Sequence, residues 1–175
     1  DQSDGLSSNT VMAFSETGAL DGSVWISNLG VGVSRFERSN WRRFEKSHTL
    51  PNELVFDIEE TVGPDGTSTF WFATYGGGLA RFQNGEWKVF TSSDGLGNDF
   101  VQSLLATKNA SGETVLYAGT EKGLLIYENG AWREIPLTEE FPILEIWNIR
   151  ETTDENGRPE LLIAASYGVI RKSDD

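Results

Sequence analysis

The 175-residue chain reads as an all-β repeat protein, and three series of landmarks returning about every 45 residues predict it. The first is a tryptophan late in each copy: Trp41 in "SNWRRF", Trp87 in "GEWKVF" and Trp132 in "GAWREI", spaced 46 and 45 residues apart. The second is an apolar anchor in a β-rich run: Trp25 in "SVWISN", Trp71 in "TFWFAT", Tyr117 in "VLYAGT" and Ile163 in "LLIAAS", each 46 apart. The third is "VGVSRF" (31–36), "GGLARF" (77–82), "KGLLIY" (122–127) and "YGVIRK" (167–172). Self-similarity at a fixed period marks stacked supersecondary units and outranks local propensity as a signal.

The copy at 49–93 justifies the elements in order. "LVFDIEE" alternates and offers Val55, Phe56 and Ile58 to a buried face. "VGPDGTS" is a turn, because Pro, Gly and Asp supply preset or positive φ angles. "TFWFAT" is β-branched and aromatic, hence a second strand. "YGGG" is a tight connection into a third strand, "LARF". Asn84-Gly85 is a two-residue hairpin turn, and "WKVF" follows as a short fourth strand. No window sustains a 3.6-residue period, so helix is expected to be nearly absent.

Four short antiparallel strands per copy, at a period near 45, describe the blade of a β-propeller. A lone four-stranded sheet hides neither face, whereas stacked blades cover one another's large residues. Trp25, Trp71 and Tyr117 are therefore expected between blades. The copies run 4–48, 49–93, 94–137 and 138–175, and the last is incomplete because no fourth strand follows "YGVIRK". The chain is thus expected to be three full blades and most of another, as part of a larger propeller, with closure by association with another chain or a strained four-blade ring with one open edge as the alternatives. Gly95-Leu96 is expected to cross from the outer strand that holds Trp87 to the inner strand of the next blade.

Charge and composition narrow the function. The formal charge of −13 repels phosphate backbones and anionic membrane surfaces, so nucleic acid is not expected as a partner. No apolar run is long enough for a membrane span. Cysteine is absent, which excludes disulfides and thiolate metal sites.

The landmarks "GLSSNTV…DGSVWISNLGVGVSRF" and "LPNELVFDIEE…TFWFATYGGGLARF" resemble the two-component regulator propeller repeat. That repeat reads Gly-Leu-Pro-x-Asn, then a Val-x-x-Ile strand, an Asp-Gly turn, Leu-Trp-Ile-Gly-Thr and Gly-Leu-x-Arg-Phe. The likeness extends along essentially the whole chain and weakens in the fourth copy, where "TEEFPILEIWNI" lacks the Gly-Leu and Asn positions. It implies a periplasmic or extracellular sensor module of a bacterial signalling receptor, placed before a membrane span and a cytoplasmic output domain, with oligosaccharides as ligands. Its implied partners are a carbohydrate or small molecule and further blades or a second copy of the chain.

The catalytic inventory is short. His48 is the single histidine, with no partner recognisable as a nucleophile or metal ligand. The carboxylates Asp57, Glu59, Glu60, Asp99, Glu113 and Glu145 have no spacing that fixes a paired-carboxylate site, and Glu59-Glu60 reads as a polar turn at a strand end. "TYGGGLA" lacks the Lys-Ser/Thr of a phosphate loop. The Asp21-Gly22 and Asp65-Gly66 turns are only loosely like the Asp-box of sialidase-like propellers, and Asn109-Ala110-Ser111 is a sequon of little weight. The expectation is a non-enzymatic binding module without metal or cofactor. A free-standing protein-binding scaffold is the alternative, with a sialidase- or lyase-like propeller third.

Ligand contacts are expected where the crossovers and middle turns gather. The lead-ins contribute Asn9, Asn52 and Asn98, and the turns before the third strands contribute Asn28, Tyr75, Glu121 and Tyr167. Amides and amphipathic rings suit a sugar or peptide, although lead-in asparagines equally cap a crossover through their own side chains. Tyr75 and Tyr167 depart from the repeat and stand out for that reason.

Overall fold

The computed structural model describes residues 3, 5–16, 23–44, 50–109, 111–137 and 144–173. Its strands form four separate antiparallel sheets, each a simple meander. The first holds β1 (Val11–Glu16), β2 (Val24–Asn28), β3 (Val33–Glu37) and β4 (Asn40–Phe44). The second holds β5 (Val55–Val62), β6 (Ser68–Thr74), β7 (Leu79–Gln83) and β8 (Glu86–Phe90). The third holds β9 (Val101–Lys108), β10 (Thr114–Thr120), β11 (Gly123–Glu128) and β12 (Ala131–Ile135). The fourth has three strands, β13 (Ile146–Thr153), β14 (Pro159–Ala165) and β15 (Gly168–Ser173). Among the described residues helix is limited to 3-10 turns such as Ser92–Asp94.

The strands expected in the second copy are all present, and the turns show why. Gln83 pairs with Glu86 across Asn84 (φ 53°) and Gly85 (φ 84°), the two positive φ angles a tight hairpin demands. Asn129 and Gly130 repeat this geometry. Gly78 is fixed by contact as well as by its φ of 82°, since a Cβ there would lie 2.1 Å from the carbonyl oxygen of Phe90.

Three apolar layers join the sheets. Trp25, Val33 and Phe44 of the first meet Ile58, Phe70 and Phe72 of the second. Trp71, Leu79 and Phe90 of the second meet Leu104, Leu116 and Ala118 of the third. Tyr117, Leu124 and Ile126 of the third meet Ile146, Ile149 and Ile163 of the fourth. Trp25, Trp71 and Tyr117 are at most 5 % exposed, and each such side chain contributes about 1.5–3 kcal/mol through burial. The crossover residue Leu96 is also fully buried in the second of these layers. Along one side the first strands adjoin in series, β1 against β5, β5 against β9 and β9 against β13. The four sheets do not close into a ring.

Strand pairing corrects two expectations. Ile149 pairs with Ile163 as Ile58 pairs with Phe72, so the fourth-copy counterpart of Trp71 is Leu162, one residue before the expected Ile163. A one-residue offset reverses faces. Ile163 accordingly packs toward the third sheet while Leu162 is 39 % exposed. Glu59 and Glu60 are not in a turn but within β5. The Glu59 carboxylate accepts the Ala106 N–H at 3.0 Å and the Asp57 carboxylate accepts the Leu104 N–H at 2.8 Å, both across the boundary to β9. These carboxylates satisfy backbone donors on the free edge of the neighbouring sheet. Burial raises both carboxyl pKa values from their ordinary values, against the backbone hydrogen bonds and the charge of Arg150.

Candidate functional site

The end of the molecule where second strands turn into third strands gathers most of the expected site residues. β6 ends at Thr74, whose hydroxyl donates to Gly78 O at 2.7 Å and closes the turn. Tyr75 N–H donates to Leu54 O, Gly76 and Gly78 N–H both donate to Asp99 O, and Tyr75 bridges Phe100. The Tyr75 backbone is thereby tied to the lead-ins of its own sheet and of the next.

Its ring stands edge-on to Phe100 at 4.8 Å and to Phe56 at 5.5 Å, leaving Tyr75 39 % exposed. The Glu121 carboxylate beside the phenol raises the Tyr75 pKa, with smaller contributions from desolvation, the hydrogen bond to Glu121 and the charge of Glu145. Glu145 in turn accepts the Trp147 indole N–H at 3.3 Å, and its carbonyl accepts the Ser166 N–H. Tyr167 follows directly. A strip of Phe56, Tyr75, Phe100, Glu121, Glu145 and Trp147 thus runs from the second sheet to the fourth, with Trp147 50 % and Tyr167 66 % exposed. Tyr75, Glu121 and Tyr167 lie at this end of the sheets.

The asparagines are occupied. Asn52 Oδ1 accepts the Leu54 N–H and its Nδ2 donates to Tyr75 O at 2.7 Å. Asn98 Oδ1 accepts the Phe100 N–H two residues on. Both are Asx turns that shape the lead-ins. In the first sheet the place is taken by Ser8, which accepts the Thr10 N–H, and not by Asn9. Asn28 is fully buried, donating to Ser8 O and accepting from Ser34 Oγ, so it braces its turn and presents nothing to a ligand. His48, Asp21-Gly22 and Ala110 of the sequon lie outside the described residues.

Phe56, Phe100 and Trp147 were missed. Each first strand carries a β-bulge near its start, whose extra residue is Met12, Phe56, Gln102 or Trp147. A bulge re-aims the side chain it inserts. The sequence signal was a break in alternation at one repeat position, filled by a large apolar residue in three of these four copies.

No protein-family model matches the chain, and no curated protein does. Solved structures do. The extracellular domain of the "putative hybrid two component system BT3049" of B. thetaiotaomicron matches 99 % of this chain with a TM-score of 0.75 at 21 % identity. PorZ, a surface component of the type-IX secretion system of Porphyromonas gingivalis, matches 94 % at TM-score 0.53 and 12 % identity. The extracellular domain of the "putative one component system BT4673" of B. thetaiotaomicron matches 93 % at TM-score 0.45 and 20 % identity. The chain spans only about a quarter of each of these, 23 %, 26 % and 27 % in that order. The chain has the fold of part of the BT3049 extracellular domain. Among the described residues no helix is long and apolar enough to cross a membrane.

Proposed function

We propose that the chain is a run of β-propeller blades, at 4–48, 49–93, 94–137 and 138–175, within a larger ring. We further propose that the ring is a non-enzymatic sensing module of a bacterial signalling receptor, outside the cytoplasm. The observation that carries the reading is the fold match over 99 % of the chain to the extracellular domain of a two-component system. The series β1, β5, β9, β13 supports a radial arrangement, with inner strands side by side. Support for further blades comes from both end sheets. Phe14 is 68 % exposed at the register place of the buried Ile58, Leu104 and Ile149. Val169 is 66 % exposed at the place of the fully buried Val33, Leu79 and Leu124. Further blades of the same parent chain are the proposed cover for both faces.

The proposed ligand is an oligosaccharide or similar polyhydroxylated molecule, bound on the rim by Tyr75, Glu121 and Tyr167. Asn52 and Asn98 hold the lead-ins in place beneath it. Exposed rings suit the apolar faces of sugars, and carboxylates accept from hydroxyls. Titration calorimetry against a panel of neutral oligosaccharides tests this. Tyr75→Phe combined with Tyr167→Ala is expected to weaken binding at least about tenfold, the scale of a lost hydroxyl hydrogen bond together with a lost ring contact, with little change in melting temperature. Unchanged affinity in that variant, or binding of a protein partner and no glycan, would replace this reading with a scaffold. Turnover of a bound glycan would replace it with an enzyme.

A further inference from the structure

A cavity lies at the other end of the sheets, between the second and third. It measures about 480 Å³ and is lined by Thr61, Thr69, Trp71, Arg81 and Gln83 on one side and by Lys108, Tyr127 and Glu128 on the other. Thr69 and Tyr75 sit near opposite ends of β6, about 20 Å apart at the rise of a strand. The cavity is therefore separate from the rim.

Register comparison shows what is unusual about it. The arginine of the third landmark stands opposite the anchor in three sheets, as Trp25 with Arg35, Trp71 with Arg81 and Leu162 with Arg171. Arg35 meets Glu37 at 3.2 Å and Ser23 Oγ at 3.1 Å. Arg171 donates through Nε to the buried Glu160 at 2.8 Å. Arg81 has the Trp71 and Phe90 rings beside it, 5.9 and 5.7 Å from its guanidinium carbon, and its register partner on β8 is another cation, Lys88, which lies over the same Phe90 ring. Among the described residues no hydrogen bond or ion pair reaches it, because the place of Glu37 is filled by Gln83 and that of Glu160 by Thr69. Across the cavity, Tyr127 takes the place of Phe36 and Phe82, which adds a hydroxyl where the other two copies have none.

The other charged groups leave this guanidinium exposed to a ligand. Lys108 Nζ donates to Thr114 Oγ1 at 2.6 Å and adds positive charge at the mouth. Glu128 is paired with Arg133 at 2.6 Å, and Glu113 is an exposed residue that accepts from Asn109. In a chain of net charge −13, a half-buried arginine stripped of its usual carboxylate is a poised anion receptor.

We propose that this cavity binds a small hydroxylated carboxylate. Arg81 grips the carboxylate with two parallel N–H donors, and Lys108 reinforces it. Thr61, Gln83 and the Tyr127 hydroxyl take the ligand's hydroxyl groups. The test is titration calorimetry of the whole chain with sodium glucuronate, with glucose as its uncharged counterpart and inorganic phosphate as a bare anion. Glucuronate is expected to bind, glucose at least about tenfold more weakly. Arg81→Gln is expected to remove the preference. Gln83→Glu restores the carboxylate that neutralises Arg35 in the first sheet, so it should abolish glucuronate binding while the protein stays folded. Phosphate binding as tightly as glucuronate would reduce the site to an ion trap and overturn the assignment. So would absent binding, or glucuronate binding unaffected by Gln83→Glu. Tyr75→Phe with Tyr167→Ala should leave glucuronate affinity untouched, so this proposal and the rim proposal fail separately.

Discussion

Phe14 and Ile58 occupy the same register place in neighbouring sheets, yet Phe14 is 68 % exposed and Ile58 only 2 %. The sequence around them differs little: "VMAFSE" and "VFDIEE" both carry a bulge at their second residue and both pair antiparallel with a second strand. What differs is the neighbour. Ile58 has the Trp25 face of the first sheet upon it, whereas among the described residues no sheet packs on Phe14. Burial in this architecture belongs to the stacking interface and not to the strand, as expected of repeats that contact only their neighbours.

Truncation breaks the comparison most directly. Ile58→Ala is expected to cost about 2–5 kcal/mol, as the lost transfer energy adds to the cavity left among Trp25, Phe70 and Phe72. Phe14→Ala in the same chain should change stability by less than about 0.5 kcal/mol, as surface substitutions do. Urea denaturation of the two variants measures both. If Phe14→Ala proves as costly as Ile58→Ala, the first sheet is covered by something within this chain. In a longer protein that adds preceding sheets, Phe14→Ala should rise to about 3–5 kcal/mol.

This comparison also explains what could be read in advance. The anchors Trp25, Trp71 and Tyr117 were legible because each sits between two sheets, and packing demands a large apolar residue there. Leu162 was not, because a fixed step of 46 overshoots the fourth copy by one residue and lands on Ile163, itself apolar and buried on the opposite face. Glu59 was misread as a turn residue because a carboxylate inside a strand has no reason to be there until β9 is seen to offer it the Ala106 N–H. The rim was half visible. Tyr75 and Tyr167 announced themselves as departures from the repeat, whereas Phe56 and Trp147 depend on bulges, which are set by pairing between strands and leave only a slip in alternation. The Arg81 cavity was invisible for a related reason: its oddity is the absence of Glu37 and Glu160 counterparts at Gln83 and Thr69, which strand register alone aligns.

The carboxylate clamp sharpens the comparison between first strands, because β5 carries Asp57 where β1 carries Ala13. Asp57→Ala should cost about 1–3 kcal/mol at neutral pH, since the buried Leu104 N–H loses its acceptor. The clamp also links stability to pH. The folded-state pKa values of Asp57 and Glu59 are raised by burial, so the folded protein holds these protons more tightly than the unfolded chain. Their contribution is greatest when both are protonated. It falls as pH rises from the ordinary values of 3.8 and 4.5 through the folded values, then levels off. The double variant Asp57→Asn, Glu59→Gln lacks this loss, so its urea midpoint should improve relative to the wild type as pH rises from the ordinary carboxyl values toward neutrality. A difference that stays constant across that range would mean the two carboxyls titrate alike in both states.

The smallest effect concerns the outer hairpins, where the first sheet again departs from its neighbours. The second and third sheets turn through Asn84-Gly85 and Asn129-Gly130, whereas the first turns through Arg38 (φ 49°) and Ser39 (φ 67°). Left-handed φ angles cost an ordinary side chain energy that glycine avoids and asparagine partly avoids. Asn40 Nδ2 donates to Arg38 O at 3.1 Å and supports the turn from its flank. Arg38→Asn with Ser39→Gly should therefore stabilise the protein by about 1 kcal/mol. The converse change, Asn84→Arg with Gly85→Ser, should destabilise it by a similar amount. Both hairpins are remote from the first strands, so the two changes should add when combined with Ile58→Ala. If the first pair is neutral while the second is costly, the support from Asn40 already offsets the strain of the Arg38-Ser39 turn, and Asn40→Ala would then be the more damaging substitution of the three.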